Sequence, residues 1–349
     1  MPESRIIFGL MTFGPDVEKG ARVTDINEFK KALDLFQSYG YSEVDTARLY
    51  VGGKQEAFSR EAGWKERGLS IATKVYPTVP GNHKPEKLTE LFETSLSELG
   101  TDSVDIFYLH AADRSVPFAE TLEAVDKLYK AGKFKRLGLS NFTAFEVAEV
   151  VMTCKYNGWV RPSIYQGMYN VILRSIEAEL IPVCRRYGLD VVVYNPIAGG
   201  LLSGKVTSLA ADDIPTEGRF SNKYMNGASR SRYWRNGTFT AVDMMRETSA
   251  KHGISMIEIA LRWLVHHSQL DLTGTKGNGT RDGILIGASS IAHLKSNLDD
   301  LAKGPLPQEI LDDVDQAWLA AKPDTAPYWH LDLEYTYDTK EALFGEGKK

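Results

Sequence analysis

The chain contains little cysteine and no long apolar run. Cys154 and Cys184 are the only cysteines among 349 residues, so the sequence predicts neither a disulfide framework nor a thiolate metal site. No apolar run approaches the roughly 18 residues that a membrane-spanning helix needs. The first residues also lack the basic-then-apolar order of a signal peptide. We therefore expect a cytoplasmic protein, in a reducing compartment, that has no membrane partner.

An excess of positive charge is also absent. The chain has 41 Lys and Arg against 46 Asp and Glu, which gives a formal net charge of −5. This balance disfavours nucleic acid or an anionic membrane as the main partner. A His-Glu-x-x-His segment and clustered Cys or His residues are lacking as well, so we expect no metal. The expected partner is a small molecule.

The common nucleotide-binding signatures are missing or incomplete. A GxGxxG segment followed by an acidic residue does not occur, which argues against a Rossmann domain. Gly199-x-x-x-x-Gly204-Lys205 nearly spells a P-loop, but Val206 stands where Ser or Thr should bind magnesium. The small residues of this segment favour another role, in which backbone N–H groups approach a pyrophosphate.

Short apolar runs do alternate with longer segments of helical period. Eight strands separated by helices predict an α/β fold, the (β/α)8 or TIM barrel, with residues 1–349 as one domain. The predicted strands are Ile6–Gly9, Ser42–Asp45, Leu69–Lys74, Val104–His110, Phe134–Ser140, Ile164–Gln166, Leu189–Tyr194 and Gly283–Gly287.

The helical segments show apolar residues at three- and four-residue steps. Besides a stripe from Leu88 to Leu99, the predicted helices are Asp25–Tyr39, Phe118–Lys130, Ala144–Asn157, Ser175–Tyr187 and Ile291–Ala302. Ser203–Gly237 is too long and polar for an ordinary connection, so we expect a functional or disordered loop after strand seven. An extra helix is predicted over Pro305–Lys322. The tail, residues 323–349, should pack in its first, aromatic half and fray at its end.

Polar side chains end three successive strands. Asp45, Lys74 and His110 end strands two, three and four, and Tyr50 follows Asp45 by five residues. Each residue alone is more often a cap, a surface charge or a packing group. The C-terminal ends of parallel barrel strands meet at one face, however, so their ordered recurrence predicts one shared proton-transfer pocket.

The chemistry of such a pocket follows from burial. A buried Lys74 and a buried Asp45 should pair, because each alone would be costly to bury. An ammonium held near Tyr50 would lower the pKa of that phenol by favouring the phenolate, so that Tyr50 can donate a proton near neutral pH. His110 could share this proton or orient a carbonyl oxygen.

These residues carry a family resemblance. Asp45-Thr-Ala-Arg-Leu-Tyr50 followed by Gly53-x-x-Glu56 resembles the aldo-keto reductase superfamily, and the resemblance runs from Ile6 to about Leu301. Through Tyr194–Lys205 and Arg230-Ser-Arg-Tyr-Trp234 the chain is most similar to the aflatoxin-aldehyde reductase group. The resemblance implies that Tyr50 is the general acid, that Lys74 and Asp45 tune it, and that His110 orients the substrate.

The resemblance also implies a nicotinamide cofactor, NADPH, with NADH as a possibility because His293 stands where many relatives have Arg or Gln. Ser140, Asn141 and Gln166 would bind the carboxamide, and amide side chains supply the donors and acceptors that it needs. Tyr194 would stack on the nicotinamide. The further expected cofactor-binding residues are Asn195, Pro196, Gly200, Leu201, Lys205, Arg219, Gly287, Ser289, Ser290, His293 and Asn297.

Substrate contacts are expected from the long loop. In the aflatoxin-aldehyde group an arginine of this loop meets a substrate carboxylate, which a bidentate guanidinium suits well, and Arg230 and Arg232 are both candidates. Either arginine could instead pair with an acidic surface residue. Trp234 and Met11 are further substrate candidates, and Trp329 in the tail is a weaker one.

The resemblance therefore predicts reduction of aldehydes, possibly aromatic or carboxylated ones, and of some ketones, to alcohols. Two alternatives remain open. Lys74 could act as a Schiff-base nucleophile of a barrel aldolase, although the nicotinamide set would then be unexplained. The chain could also be a cofactor-binding regulatory subunit like the channel-associated β-subunits of the same superfamily. A homodimer is also possible, as in relatives of the aflatoxin-aldehyde type.

Overall fold

Eight parallel strands close into a barrel in the order in which they occur along the chain, which confirms the predicted (β/α)8 architecture. The computed structural model describes residues 4–210, 214–216, 218–221, 229–275 and 281–345. Its strands are β1 (Ile6–Gly9), β2 (Glu43–Asp45), β3 (Ser70–Val75), β4 (Val104–Leu109), β5 (Phe134–Ser140), β6 (Pro162–Met168), β7 (Asp190–Tyr194) and β8 (Gly283–Gly287).

The strand bounds agree closely with the sequence pattern. β1, β5 and β8 have the predicted limits, and β6 is longer than predicted at both ends. His110 lies one residue beyond β4, yet its N–H still donates to the Val75 carbonyl at 3.0 Å. The side chains expected at the strand ends therefore do lie at the C-terminal rim of the barrel.

The described helices form the outer layer. They are α1 (Ile26–Ser38), α2 (Gln55–Glu61), α3 (Pro85–Leu99), α4 (Phe118–Lys130), α5 (Ala144–Asn157), α6 (Leu180–Tyr187), α7 (Arg230–Tyr233), α8 (Asn236–His252), α9 (Met256–His266), α10 (Ile291–Leu301), α11 (Gln308–Ala321) and α12 (Thr339–Phe344). Among them, no helix is long and apolar enough to cross a membrane.

The prediction of one helix over Ser175–Tyr187 was wrong. Ser175–Glu177 forms a 3-10 turn, and α6 begins only at Leu180, after Glu179 at φ −137°. Pro182 explains the break, because a proline lacks the N–H that a helix interior needs but is tolerated in the first turn. Because α6 begins at Leu180, Pro182 lies in its first turn.

The loop predicted over Ser203–Gly237 is partly helical. α7 and the start of α8 lie inside it, while residues 211–213, 217 and 222–228 fall outside the described residues. The helices α2, α8, α9 and α12 have no counterpart in the predicted set, and α12 lies in the end of the tail that was expected to fray. α8 packs along α11, the predicted extra C-terminal helix. These two helices therefore form one layer.

A packed core fills the barrel, so the site can open only at the rim. The interior side chains are Ile7, Ala72, Ile106, Tyr108, Ile164 and Val192. Tyr108 is 1% exposed and crosses the space left by Gly138. A methyl group on Gly138 would lie 2.2 Å from Cδ1 of this ring.

Substitution of Gly138 should therefore destabilise the barrel from within. We expect Gly138→Ala to lower the free energy of unfolding by about 1–3 kcal/mol, as overpacking does in other cores. Denaturant-induced unfolding measures the difference. Gly304→Ala, where an added methyl group meets no atom within 4 Å, is the control. Equal stability of the two variants would show that Tyr108 can move aside.

Candidate active site

A buried ion pair lies at the base of the rim pocket. Lys74 Nζ donates to the Asp45 carboxylate and to the Thr46 carbonyl, the latter at 2.7 Å. Lys74 is 0% and Asp45 2% exposed, so neither charge is solvated by bulk water. Burial lowers the pKa of Lys74, and the Asp45 charge opposes this effect. Asp45 is therefore the main group that offsets the burial of the Lys74 ammonium.

Tyr50 lies above this pair. It begins a 3-10 turn, Tyr50–Gly53, in which Val51 has φ 51° and Gly53 has φ 86°. Lys74 Nζ is 5.2 Å from the centroid of the Tyr50 ring, and the Tyr50 and His110 ring centroids are 6.0 Å apart. The four residues predicted to share a pocket are thus neighbours.

A second buried ion pair fixes the turn that carries Tyr50. Arg48 Nη1 lies 2.5 Å from Glu56 Oε2, and Arg48 Nη2 donates to the Gly53 carbonyl. The other oxygen of Glu56 accepts from Thr73 Oγ1 at 2.6 Å. Because Thr73 precedes Lys74 on β3, this arrangement ties the tyrosine turn to the lysine strand. The sequence motif contains Glu56 but gave no hint of its partner.

His110 is a neutral imidazole. Burial lowers its pKa well below the ordinary value, and the charges of Lys74 and Arg232 lower it further. Its Nδ1 atom is buried and has no hydrogen-bond partner in the part of the chain that the structure describes. The pocket therefore contains an unused polar atom beside Tyr50.

The predicted carboxamide-binding residues form one hydrogen-bonded set beside the pair. Asn141, at φ 59°, donates to the His110 carbonyl at 2.8 Å and to Ser140 Oγ at 3.0 Å, and accepts from the Tyr194 hydroxyl at 2.6 Å. Gln166 Nε2 donates to Asp45 Oδ2 at 2.9 Å, a contact that the sequence did not predict. The Oε1 atom of Gln166 is left as an acceptor.

Arg219 connects two of the predicted phosphate-binding segments. Its Nη1 donates to Asn195 Oδ1 at 2.9 Å, and its Nη2 is 4.0 Å from Met11 Sδ. A methyl group on Gly287 would lie 3.9 Å from Nη2, and one on Gly200, at φ 102°, would meet no atom within 4 Å. Both backbone positions are open, and Gly287 lies beside a cation, which suits a pyrophosphate. Of the other candidates in this segment, Pro196 and Leu201 are buried and Lys205 is exposed.

The predicted adenosine-end residues meet at the N-terminus of α10. Ser290 caps this helix by accepting from the His293 N–H at 3.2 Å, and Ser289 Oγ lies 2.8 Å from His293 Nδ1. Asn297 donates to the Gly287 carbonyl at 3.3 Å. Ser289 is exposed and Ser290 partly exposed, and a helix N-terminus is a favourable place for a phosphate.

The two candidate arginines have different surroundings. Arg230 donates to the Phe220 carbonyl at 2.6 Å. Arg232 Nη2 instead donates to His330 Nε2 at 2.6 Å, and His330 lies near the Tyr76 ring, at 5.9 Å between centroids. Since Tyr76 also contacts His110, at 5.3 Å, the contacts of Arg232 lead to the site.

The other substrate candidates are less central. The Trp234 ring packs on Phe220 and Phe239, at 5.2 and 5.3 Å between centroids, and Met11 contacts Arg219. In the tail, the His330 side chain meets the pocket, and the ring of the candidate Trp329 lies 5.2 Å from that of Tyr328. His330 and Tyr76 were therefore missed by the sequence reasoning, although the aromatic tail was a signal for the former.

A parallel barrel with tyrosine, lysine, aspartate and histidine gathered at its C-terminal rim is typical of a class of barrel oxidoreductases. The profile described as "Aldo/keto reductase family" matches residues 5–319, and the chain belongs to this family. It is accordingly an oxidoreductase of the class that reduces aldehydes and ketones.

Individual relatives agree with this membership. The chain is 42% identical to an aldo-keto reductase of Pseudocercospora fijiensis, over 85% of this chain and 99% of that protein. It is 39% identical to the mouse protein named aflatoxin B1 aldehyde reductase member 2, over 86% and 83% of the two chains. A Klebsiella pneumoniae aldo/keto reductase, solved with NADP and acetate, has the same fold, with TM-score 0.66, 23% identity and coverage of 94% and 95%.

The ion pair that fixes the tyrosine turn should be costly to break. Glu56 is fully buried, so Glu56→Gln leaves the Arg48 charge without its partner, and we expect a loss of about 3 kcal/mol in the free energy of unfolding. Thermal or denaturant unfolding checks this value. Glu90→Gln removes half of the exposed Lys87–Glu90 pair and should cost at most about 1 kcal/mol. Similar losses for both would contradict the structural role of Glu56.

Proposed function

We propose that this chain catalyses the NADPH-dependent reduction of aldehydes, including aromatic or carboxylated ones, and of some ketones, to alcohols. The observation that carries the proposal is the buried Lys74–Asp45 pair, whose ammonium lies 5.2 Å from the Tyr50 ring. A cation in this position favours loss of a proton from the phenol.

In this reaction Tyr50 gives its proton to the carbonyl oxygen as the carbon is reduced. Lys74 stabilises the phenolate that remains, and Asp45 keeps Lys74 charged despite its burial. His110, as a neutral imidazole, positions the carbonyl oxygen by a hydrogen bond and does not compete as the acid. The role of Lys74 thus depends on its pairing with Asp45, and that of His110 on its burial.

The residues present fit a nicotinamide dinucleotide. Asn141 and Ser140 lie beside the Oε1 acceptor of Gln166, which suits a carboxamide. Tyr194 adds an aromatic ring for the nicotinamide. When bound, NADPH supplies the hydride. The Klebsiella pneumoniae reductase of the same fold was solved in complex with NADP, which supports this choice.

The phosphate-bearing part of the cofactor has its own set of residues. We propose Arg219 for the pyrophosphate, together with backbone N–H groups of the glycine-rich segment. Ser289, Ser290 and His293 would hold the 2′-phosphate of NADPH, and Asn297 would hold the adenine. Because His293 stands where many relatives have Arg or Gln, NADH remains a second candidate cofactor.

For the substrate, Arg232 is proposed as the group that binds a carboxylate. It is partly exposed, and among the described residues it has no acidic partner within ion-pair distance. The aflatoxin B1 aldehyde reductase named above is one of several relatives whose names specify an aldehyde. A carboxylated aldehyde would satisfy both observations.

The contacts of Lys74 disfavour the Schiff-base alternative. An amine nucleophile must be neutral and reach a carbonyl carbon, whereas Lys74 Nζ donates to Asp45 and to the Thr46 carbonyl beneath the rim. Borohydride trapping of an aldehyde on Lys74 would nevertheless restore that alternative.

Removal of the phenolic proton tests the proposed acid. We expect Tyr50→Phe to lower kcat for an aromatic aldehyde by about 10²–10⁴, measured by NADPH oxidation at 340 nm, while NADPH binding followed by fluorescence quenching stays unchanged. Tyr129→Phe, at an exposed tyrosine of α4, is the matched control. Turnover within about tenfold of the parent, a barrier change of only ~1.4 kcal/mol, would remove Tyr50 from its role.

Replacement of the lysine should affect both rate and stability. Lys74→Met takes the cation away from Tyr50 and leaves Asp45 buried with Gln166 as its remaining partner. We expect a loss of kcat comparable with that of Tyr50→Phe and a destabilisation of about 3 kcal/mol. Kinetics on the folded protein and denaturant unfolding measure the two effects. Lys87→Met, at an exposed lysine, should change neither, and full activity of Lys74→Met would refute the assignment.

A further inference from the structure

The first half of the tail is held across the rim by buried polar contacts. Arg114 Nη1 donates to the carbonyls of His330 and Asp332, at 2.9 and 3.1 Å, and its guanidinium forms a buried ion pair with Glu146. Glu146 also accepts from the Tyr335 hydroxyl at 2.7 Å. This segment, residues 328–336, is named the strap here. Its fixation places one side chain, that of His330, in the pocket.

His330 is held through its backbone as well as its ring. Its N–H donates to the Asn141 carbonyl at 3.2 Å. Its Nε2 atom lies 2.6 Å from Arg232 Nη2. A guanidinium is always a donor, so Nε2 accepts and the imidazole is neutral, with its proton on Nδ1.

An acceptor for a second ring proton is already in place. The Tyr194 oxygen is 3.4 Å from His330 Nε2, and its hydrogen is directed to Asn141. When His330 is neutral, its Nε2 atom and the Tyr194 oxygen are therefore two acceptors that face each other. A protonated Nε2 would instead donate toward Tyr194 or toward an anion in the pocket.

In the described part of the chain, five groups face His330, and none of them is a carboxylate. They are Arg232 from α7, Tyr194 from β7, Tyr76 after β3, His110 after β4 and Arg114 beyond it. Within the described residues, no carboxylate contacts the ring. Burial and the Arg232 charge lower the pKa of His330 to about 3.

An anion bound to Arg232 would favour the protonated form of His330. A carboxylate there would draw the guanidinium donors away from Nε2 and add a negative charge beside the ring. We propose that His330 takes up one proton from solvent when an anionic substrate group binds Arg232, so that the strap makes the binding of carboxylated carbonyl compounds depend on pH. This inference rests on the proposed binding of a carboxylate by Arg232.

The sign of the dependence follows from the two states. His330 is neutral in the free enzyme above about pH 3 and gains a proton in the complex. Linkage therefore makes the anion bind more tightly as the pH falls, by at most about tenfold per pH unit. Above the pKa that His330 has in the complex, the dependence disappears. A neutral substrate should show no contribution from His330 at any pH.

A matched pair of aldehydes tests this in steady state. We expect the ratio of kcat/KM for 4-carboxybenzaldehyde to that for 4-nitrobenzaldehyde to rise as the pH is lowered from about 8 to about 5.5. This rise in the ratio should come from a fall in KM for 4-carboxybenzaldehyde. In His330→Gln, which keeps an acceptor but cannot titrate, the ratio should be constant. His266→Gln, at an exposed histidine bonded to the Lys303 carbonyl, should behave as the parent.

Calorimetry provides a readout without turnover. Benzoate is titrated into the enzyme saturated with NADP+, in two buffers of different ionisation enthalpy, and benzamide serves as the neutral control. The parent should take up a fraction of a proton that increases toward one as the pH falls, and His330→Gln should take up none. Arg232→Gln should abolish benzoate binding.

The outcomes separate this inference from the proposed function. Proton uptake that persists in His330→Gln, or benzoate binding without uptake down to about pH 5, overturns the role of His330. Turnover of the neutral aldehyde without any benzoate binding overturns it too, but leaves the proposed reductase activity intact. Loss of turnover with both aldehydes contradicts the proposed activity, while the calorimetric result still decides the inference.

Discussion

The candidate site depends on one buried ion pair. A fully buried ammonium is tolerated only when its charge is compensated, and Lys74 has both Asp45 and the Thr46 carbonyl as acceptors. The second Asp45 oxygen is occupied by Gln166. Three strands, β2, β3 and β6, are thus connected at the rim through one carboxylate. The chemical roles of Tyr50 and His110 depend on this pair, because its charges determine how readily a neighbouring phenol or imidazole gives up or takes up a proton.

Two further buried ion pairs hold the segments that complete the pocket. Arg48–Glu56 fixes the turn of Tyr50, and Arg114–Glu146 fixes the strap. In both pairs the arginine also binds backbone carbonyls, so its planar fork determines the path of the chain as well as the charge balance. Such pairs contribute little net stability compared with apolar packing. Their effect here is to restrict two irregular segments to one conformation.

The sequence predicted the strands well and the insertions poorly. Short apolar runs that end in polar residues are nearly unambiguous in a parallel barrel, because both faces of each strand are buried. α9 was missed although its buried residues Met256, Ile259, Ala260, Trp263 and Leu264 recur at the three- and four-residue steps of a helix. α6 was predicted too long because Pro182 was not weighed as a helix start. The span Ser203–Gly237 reads as a loop from composition alone, although α7 and the start of α8 lie in it.

The sequence by itself determined the barrel and the order of the residues at its rim, because both depend on local periodicity and on where each strand ends. Only the tertiary structure decided which of these residues touch. Gln166 meets Asp45 across 121 positions, and Arg232 meets His330 across 98. Contacts of this kind arise when the barrel closes and the tail folds over it, and no local pattern encodes them. The charge states of His110 and His330 likewise follow from burial and neighbouring cations, which exist only in the folded chain.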